Sequence, residues 1–295
     1  MPEQAPALVL GAVVDALERL WPPADAAEWD RVGLVTGDPE QPVRRVLFAL
    51  DPTLAVIEEA AAWGADLLVT HHPLLLRGVH SVATTTAKGA SVTALLRAGC
   101  ALYVAHTNAD VADPGVSTVI ADALGLTAQR PLTTIGSCGA GRVGELAVPV
   151  SLADFADLLV EALPPTAGGV RVSGPGGATV RRVAVMGGSG DDQFDAARAS
   201  GADVYVTADL RHHPVLEARE EARDGTPYVI DAGHWAMESL WLATGLEQLL
   251  AALGEQPTGG PTPTRVEGRL SGLRTEPWTF VAGVNRARPE TGGVS

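Results

Sequence analysis

Cysteine is nearly absent. Only Cys100 and Cys138 occur in 295 residues, and they form no paired motif. A disulfide framework and a thiolate zinc site are therefore excluded, and two buried, reduced thiols are expected. Aromatic residues are scarce at 4%. Basic residues are also in deficit, 21 against 35 acidic, for a net charge of −14. Such a field repels phosphate backbones unless a local basic patch offsets it, and none is visible, so non-specific nucleic-acid binding is not expected. No long apolar run is present near the start. Met1 to Ala7 lacks the basic region of a signal peptide, and Leu8 to Val14 is far too short to span a bilayer. A cytoplasmic protein without a membrane partner is expected.

What remains is rich in alanine, valine, leucine and glycine, at 46% hydrophobic and 19% charged residues. That mixture suits strands alternating with closely packed helices, in one large or two modest domains. An amphipathic helix fits Leu8 to Leu20. Arg45 to Leu50 reads as a strand, and Asp51-Pro52 opens a helix to about Trp63, with the aspartate as cap. Asp66 to Thr70 is a second strand, Lys88 to Ala98 a helix, Ala101 to Ala105 a third strand, and Val116 to Leu124 a helix. Gly141 to Val150 reads as a strand and Leu152 to Leu163 as a helix. The alternation argues for a mostly parallel sheet flanked by helices.

The chain also repeats itself. Val43-Arg44-Arg45-Val46 recurs as Val180-Arg181-Arg182-Val183. In each copy Gly-Ala-Asp follows, at Gly64 and Gly201, and then an apolar strand ending Val69-Thr70 or Val206-Thr207. His71-His72-Pro73 returns as His212-His213-Pro214 after a delay of four residues. Two similar α/β lobes with mixed, mostly parallel sheets are expected, with a cleft between them. The expected division is 1–127 plus 230–253 for the first lobe, 128–229 for the second, and 254–295 for a Pro/Gly-rich tail. Gly254 to Thr264 and the end after Arg288 read as linker or disorder. Thr275 to Phe280 reads as a tail strand or a docking segment.

His71 and His72 sit at the carboxyl end of the run Leu67-Leu68-Val69-Thr70, where open α/β sheets place their ligands. Neighbouring strand residues point to opposite sides, so two rings there suit two atoms better than one. In His106-Thr107-Asn108-Ala109-Asp110 a strand ends and a turn presents an imidazole and a carboxylate four residues apart. His234 and Glu238, after Asp231-Ala232-Gly233, share one helix face at i and i+4. Separately each has a plain structural explanation: a surface pair, turn chemistry, or a helix start capped by Asp209 before His212. Together, His71, His72, Asp110, His234 and Glu238 form a mixed nitrogen and carboxylate set suited to zinc, iron, manganese or nickel. Five ligands for two divalent ions leave coordination open for water, and the site stays cationic enough to attract an anionic small molecule. Gly187-Gly188-Ser189-Gly190 lacks the lysine and spacing of a phosphate loop and reads as a tight turn between strand and helix.

The series Trp29-Asp30-Arg31-Val32-Gly33-Leu34, His71-His72-Pro73, His106 to Asp110, Asp209 to His213, and Asp231 to His234 with Glu238 resembles the GTP cyclohydrolase 1 type 2 family. Its members are also called NIF-three-like dinuclear metal centre hexameric proteins. The resemblance runs from about Val13 to Leu253. It implies two α/β lobes, a homohexamer built as a trimer of dimers, and two divalent metal ions per chain. By the same resemblance His71 binds one ion and His72 the other, with His234 joining His71, Asp110 joining His72, and Glu238 bridging. His106, His212 and His213 fall near the site and are the general acid–base candidates. Arg31 and Ala208 depart from the common Trp-Asp-Asn and Thr-Gly-Asp patterns. Three functions follow as expectations: a metal-dependent hydrolase of a nucleotide or phosphorylated small molecule, a metal-handling protein, or a regulatory scaffold.

Overall fold

The structure is a computed structural model that describes residues 7–254 and 266–283. The chain divides into two compact units, Met1–Ala112 with Trp241–Thr275, and Asp113–Leu240 with Glu276–Ser295.

The first unit is built on a five-stranded sheet in the order Glu267–Leu270, Arg45–Ala49, Leu67–Thr70, Ala101–Val104, Gly33–Thr36. The first four strands run parallel and the last antiparallel. Every residue of Leu67–Thr70 and of Ala101–Val104 is buried, as central parallel strands covered on both faces must be. Side chains alternate between the faces. Leu47 and Ala49 join Val56, Ile57, Ala60 and Leu95 from helices Leu54–Trp63 and Ala87–Ala98. Phe48 points the other way, against Trp21 and Trp241. Those three rings are wholly buried, and each contributes on the order of 2–3 kcal/mol of burial.

Several expected boundaries move for local reasons. Leu8 and Val9 pair antiparallel with Val43 and Pro42, so the first helix starts at Leu10. Asp51 does not cap the next helix. Thr53 does, its hydroxyl accepting from the Val56 amide at 3.3 Å. The tail strand is Glu267–Leu270, laid parallel on Arg45–Ala49, and Thr275 to Phe280 forms no strand. The expected linker after Gly254 and the end after Arg288 lie outside the described residues. Cys100 is buried, and burial pushes its thiol up to about 12, whereas Cys138 is only half-buried. No helix among the described residues is long and apolar enough to cross a membrane.

The second unit carries a six-stranded sheet in the order Arg171–Ser173, Tyr228–Asp231, Val204–Ala208, Thr179–Ser189, Arg142–Ser151, Thr127–Arg130. The strands Thr179–Ser189, Val204–Ala208 and Tyr228–Asp231 are parallel to their neighbours in that trio, and the outer pairings are antiparallel. Helix Val116–Ala123 and helix His234–Ser239 belong to this unit. The expected tight turn at Gly187 is instead the end of a strand that runs to Ser189.

The sequence repeat has a physical basis. Asp66 accepts from the Arg44 and Arg45 amides at 2.7 and 2.9 Å, and Asp203 accepts from the Arg181 and Arg182 amides at 2.8 Å each. In each unit an aspartate just ahead of one strand therefore clamps the start of its neighbour. Gly64 and Gly201, at φ 74° and 72°, turn the chain out of the preceding helix where a side chain would be strained. Further along, the Ala105 amide donates to Thr70 and the Ala232 amide to Thr207, both at 2.9 Å. Thr70 and Thr207 are thus equivalent, and the counterparts of His71 and His72 are Ala208 and Asp209. His212-His213 is not the structural echo of the first histidine pair, because both residues lie in the first turn of helix His212–Glu221. Replacing Asp66 by alanine should lower the unfolding free energy by about 1 kcal/mol, since two strand amides lose a charged acceptor but can still reach water. Urea denaturation of the variant beside wild type measures this.

Candidate metal centre

In the first unit the ladder continues one step past the regular strands. The His71 amide donates to Ala49 at 3.2 Å and the His72 amide to Leu50 at 2.9 Å. This fixes both backbones at the level where the neighbouring strands also stop. His71 is fully buried, and its Nδ1 donates to the Ala105 carbonyl at 2.9 Å. His72 Nδ1 donates to Asp51 Oδ1 at 2.7 Å. The other oxygen of Asp51 accepts from the Thr275 hydroxyl, contributed by the C-terminal segment. His106, just after Ala101–Val104, donates from Nδ1 to Asp30 Oδ1 at 2.9 Å. An oxygen that only accepts, placed on Nδ1, puts the ring proton there and the lone pair of the neutral ring on Nε2. Three imidazoles share this tautomer. His71, His72 and His106 offer donor atoms that all lie within 4.8 Å of one another. Asp110, at the end of the short helix Thr107–Asp110, brings Oδ1 to 3.6 Å from His71 Nε2.

Asp30 is the anchor of this turn. Its carboxylate is fully buried and accepts from the Arg31 amide, His106 Nδ1, the Thr107 amide and the Thr107 hydroxyl. Burial alone would raise its pKa, but the hydrogen bonds from His106 and Thr107 outweigh it and hold Asp30 well below the usual carboxylate range. Arg31 does not face that carboxylate with its guanidinium, which donates instead to the carbonyls of Glu28 and Asp30.

The second unit repeats the tethering. His234 opens helix His234–Ser239 and donates from Nδ1 to Asp209 Oδ2 at 2.8 Å. Its Nε2 is 2.8 Å from Glu238 Oε2, one turn on, as the i, i+4 spacing predicts. Burial opposes a charge on this ring, yet Asp209 and Glu238 overcome it and raise His234 to about 11. The ring thus holds a proton where a cation could replace it. Glu238 is itself buried. Room for it is made at Gly188, whose backbone has φ +69° and where a Cβ would fall 2.3 Å from Glu238 Oε1. The glycine run serves this carboxylate, and the Gly187 amide donates to Ser117 at 3.1 Å. Asp209 holds His234 and provides no cap to the following helix. It sits at φ +54°, a conformation that aspartate tolerates better than most residues.

His212 and His213 are exposed, and neither joins a group of candidate donors among the described residues. His212 instead borders a cleft of about 270 Å³ with Arg171, Leu210, Arg211 and Asp231. Sequence reasoning missed the three carboxylates Asp30, Asp51 and Asp209 as partners of the imidazoles. The available signal was position, because Asp51 and Asp209 each follow closely on the end of a parallel strand.

This α/β chain gathers tethered imidazoles and carboxylates into groups that could hold a metal ion. The Duf34/NIF3 (NGG1p interacting factor 3) family model matches residues 9–258, and the chain belongs to that family. It is 52% identical over 245 residues to a Streptomyces coelicolor protein named GTP cyclohydrolase 1 type 2 homolog, covering 81% of this chain and 85% of that one. A Mycobacterium tuberculosis protein of the same name is 32% identical, covering 92% of this chain and 97% of its own. Among solved structures, a Bacillus cereus protein related to NIF3 superposes with a TM-score of 0.84 at 24% identity, covering 94% of this chain and all of that one, and it shares the fold. A hypothetical protein of Staphylococcus aureus gives the same TM-score at 25% identity over 93% of this chain and all of its own.

Asp30 has a direct pH signature. Its folded pKa is depressed below the unfolded value of about 3.9. The stability it contributes is therefore complete above that value and is lost as pH falls toward the folded pKa. Asp30→Asn should lower stability at pH 7 by about 1–3 kcal/mol, because a neutral amide cannot accept four hydrogen bonds. The difference from wild type should shrink by pH 3, as read from urea midpoints at both pH values.

Proposed function

We propose that this protein binds two divalent metal ions and hydrolyses a nucleotide or another phosphorylated small molecule. The observation that carries the reading is the common tethering of His71, His72, His106 and His234, each through Nδ1 to an oxygen acceptor. Metal-ligating histidines are held this way, since the second hydrogen bond fixes the tautomer and raises ligand basicity. Imidazoles kept only for packing need no such uniformity.

His71, His72, Asp110, His234 and Glu238 would hold the ions, and their mixed donors fit zinc, iron, manganese or nickel. Bound there, the ions would act as Lewis acids that polarise a water and an electrophilic phosphorus or ring carbon. Coordination positions left open on the ions would take the oxygens of an anionic substrate. His106 accepts the proton at Nε2, because its Nδ1–H is committed to Asp30. The ionised Asp30 then stabilises the imidazolium, as the carboxylate of an Asp–His pair does in general-base catalysis.

The test is metal content per chain in protein purified without added metal, joined to a turnover screen with GTP and a phosphoester panel. About two ions per chain and turnover abolished by His71→Ala support the reading. Bound metal with no turnover on any substrate overturns the hydrolase and leaves metal handling, checked by transfer to a chelating acceptor.

Asp51 provides an independent check on how the ligands are held. Asp51→Asn should weaken metal binding roughly 10- to 100-fold, the usual effect of losing a ligand's hydrogen-bond partner. Thr275→Val should do so less, because it removes only the partner of Asp51. Competition against a fluorescent chelator measures both.

A further inference from the structure

Trp29 has no role in the chemistry above, yet its placement is unusual. The indole is 59% exposed, and it meets the His106 ring edge-to-face, with centroids 5.9 Å apart and planes at 76°. Single exposed apolar side chains are common on protein surfaces and mean little by themselves. This one is carried on a turn tied down on every side. The Asp30 amide donates to Ala27 at 2.9 Å, and the Ala27 amide donates to the Thr107 hydroxyl at 2.9 Å. Asp30 beside it is the buried anchor already described, and the Arg31 guanidinium folds back onto the carbonyls of Glu28 and Asp30. A large π surface is thus left in water on rigid backbone, directly beside an imidazole of the donor cluster. A rigid aromatic side chain loses little entropy when a flat ring is laid on it, which is how single bases are held without reading their edges.

We propose that Trp29 is the stacking platform for the planar heterocycle of the substrate, and so selects nucleotides over base-free phosphate esters. The inference rests on the nucleotide reading of the same site and narrows its substrate class. The indole receives the base on its face while the phosphates go to the open positions of the metal centre. His106, in contact with the indole, marks where the two parts of the ligand meet.

The test compares binding of GTP and inorganic tripolyphosphate, by calorimetry on the full chain loaded with manganese. Tripolyphosphate carries the anionic charge without the base. Wild type should bind GTP roughly tenfold or more tighter than tripolyphosphate, the range expected for stacking one base. Trp29→Ala should remove that preference and leave tripolyphosphate affinity unchanged, and Trp29→Phe should keep part of it. Equal affinity of wild type for both ligands overturns the stacking proposal and leaves the anion-binding centre standing. Binding of neither overturns both. A GTP preference that survives Trp29→Ala also overturns it, as does a changed molar mass by light scattering with no loss of base preference, because Trp29 would then be an interface residue.

Discussion

A parallel ladder decides the level at which neighbouring strands end, and the donor cluster depends on that constraint. Arg45–Ala49, Leu67–Thr70 and Ala101–Val104 pair in register, and the pairing runs on into the amides of His71 and His72. Asp51 therefore arrives opposite His72, and the Ala105 carbonyl opposite His71. The tethers of His71 and His72 need no further arrangement of the chain. A slip of one residue would exchange the two faces of the middle strand and separate each ring from its oxygen.

The second unit reuses this frame with other side chains at the strand ends. Its aspartate clamp, its left-handed glycine and its threonine carbonyl match those of the first unit bond for bond. The residues beyond the frame have diverged. Where the first unit has His71-His72, the second has Ala208-Asp209, and its imidazole comes instead from the start of a helix. The shared scaffold is a matter of backbone hydrogen bonding, and the chemistry is a matter of which residues follow each strand.

The sheets, most helices and the repeat were legible because they rest on local signals: apolar runs, caps and glycine stops. The candidate ligands were legible because histidines at strand ends are few. Spacing along a chain cannot say which of two adjacent rings a turn approaches, and only the fold shows Asp110 Oδ1 at 3.6 Å from His71 Nε2. The carboxylates that hold the rings were read as helix caps, because Asp51 and Asp209 sit where caps also sit. The recurrence of His-His-Pro misled for a related reason. Its letters match, but the strand in the second unit ends at Ala208, so the motif falls on the next helix. The strand Glu267–Leu270 was missed because it has no apolar core of its own and gains its partners only by lying on an edge.

The first unit is discontinuous, and this has a consequence for synthesis. Trp241, whose ring lies 5.4 Å from that of His71, leaves the ribosome after the whole of residues 113–240. The edge strand at Glu267 and the Thr275 hydroxyl follow later still. Until then the nascent first unit has an uncovered strand edge at Arg45–Ala49, of the kind that invites pairing with another chain. Its imidazoles are already translated but lack part of their final surroundings. Maturation of the cluster therefore waits on segments translated after the second unit.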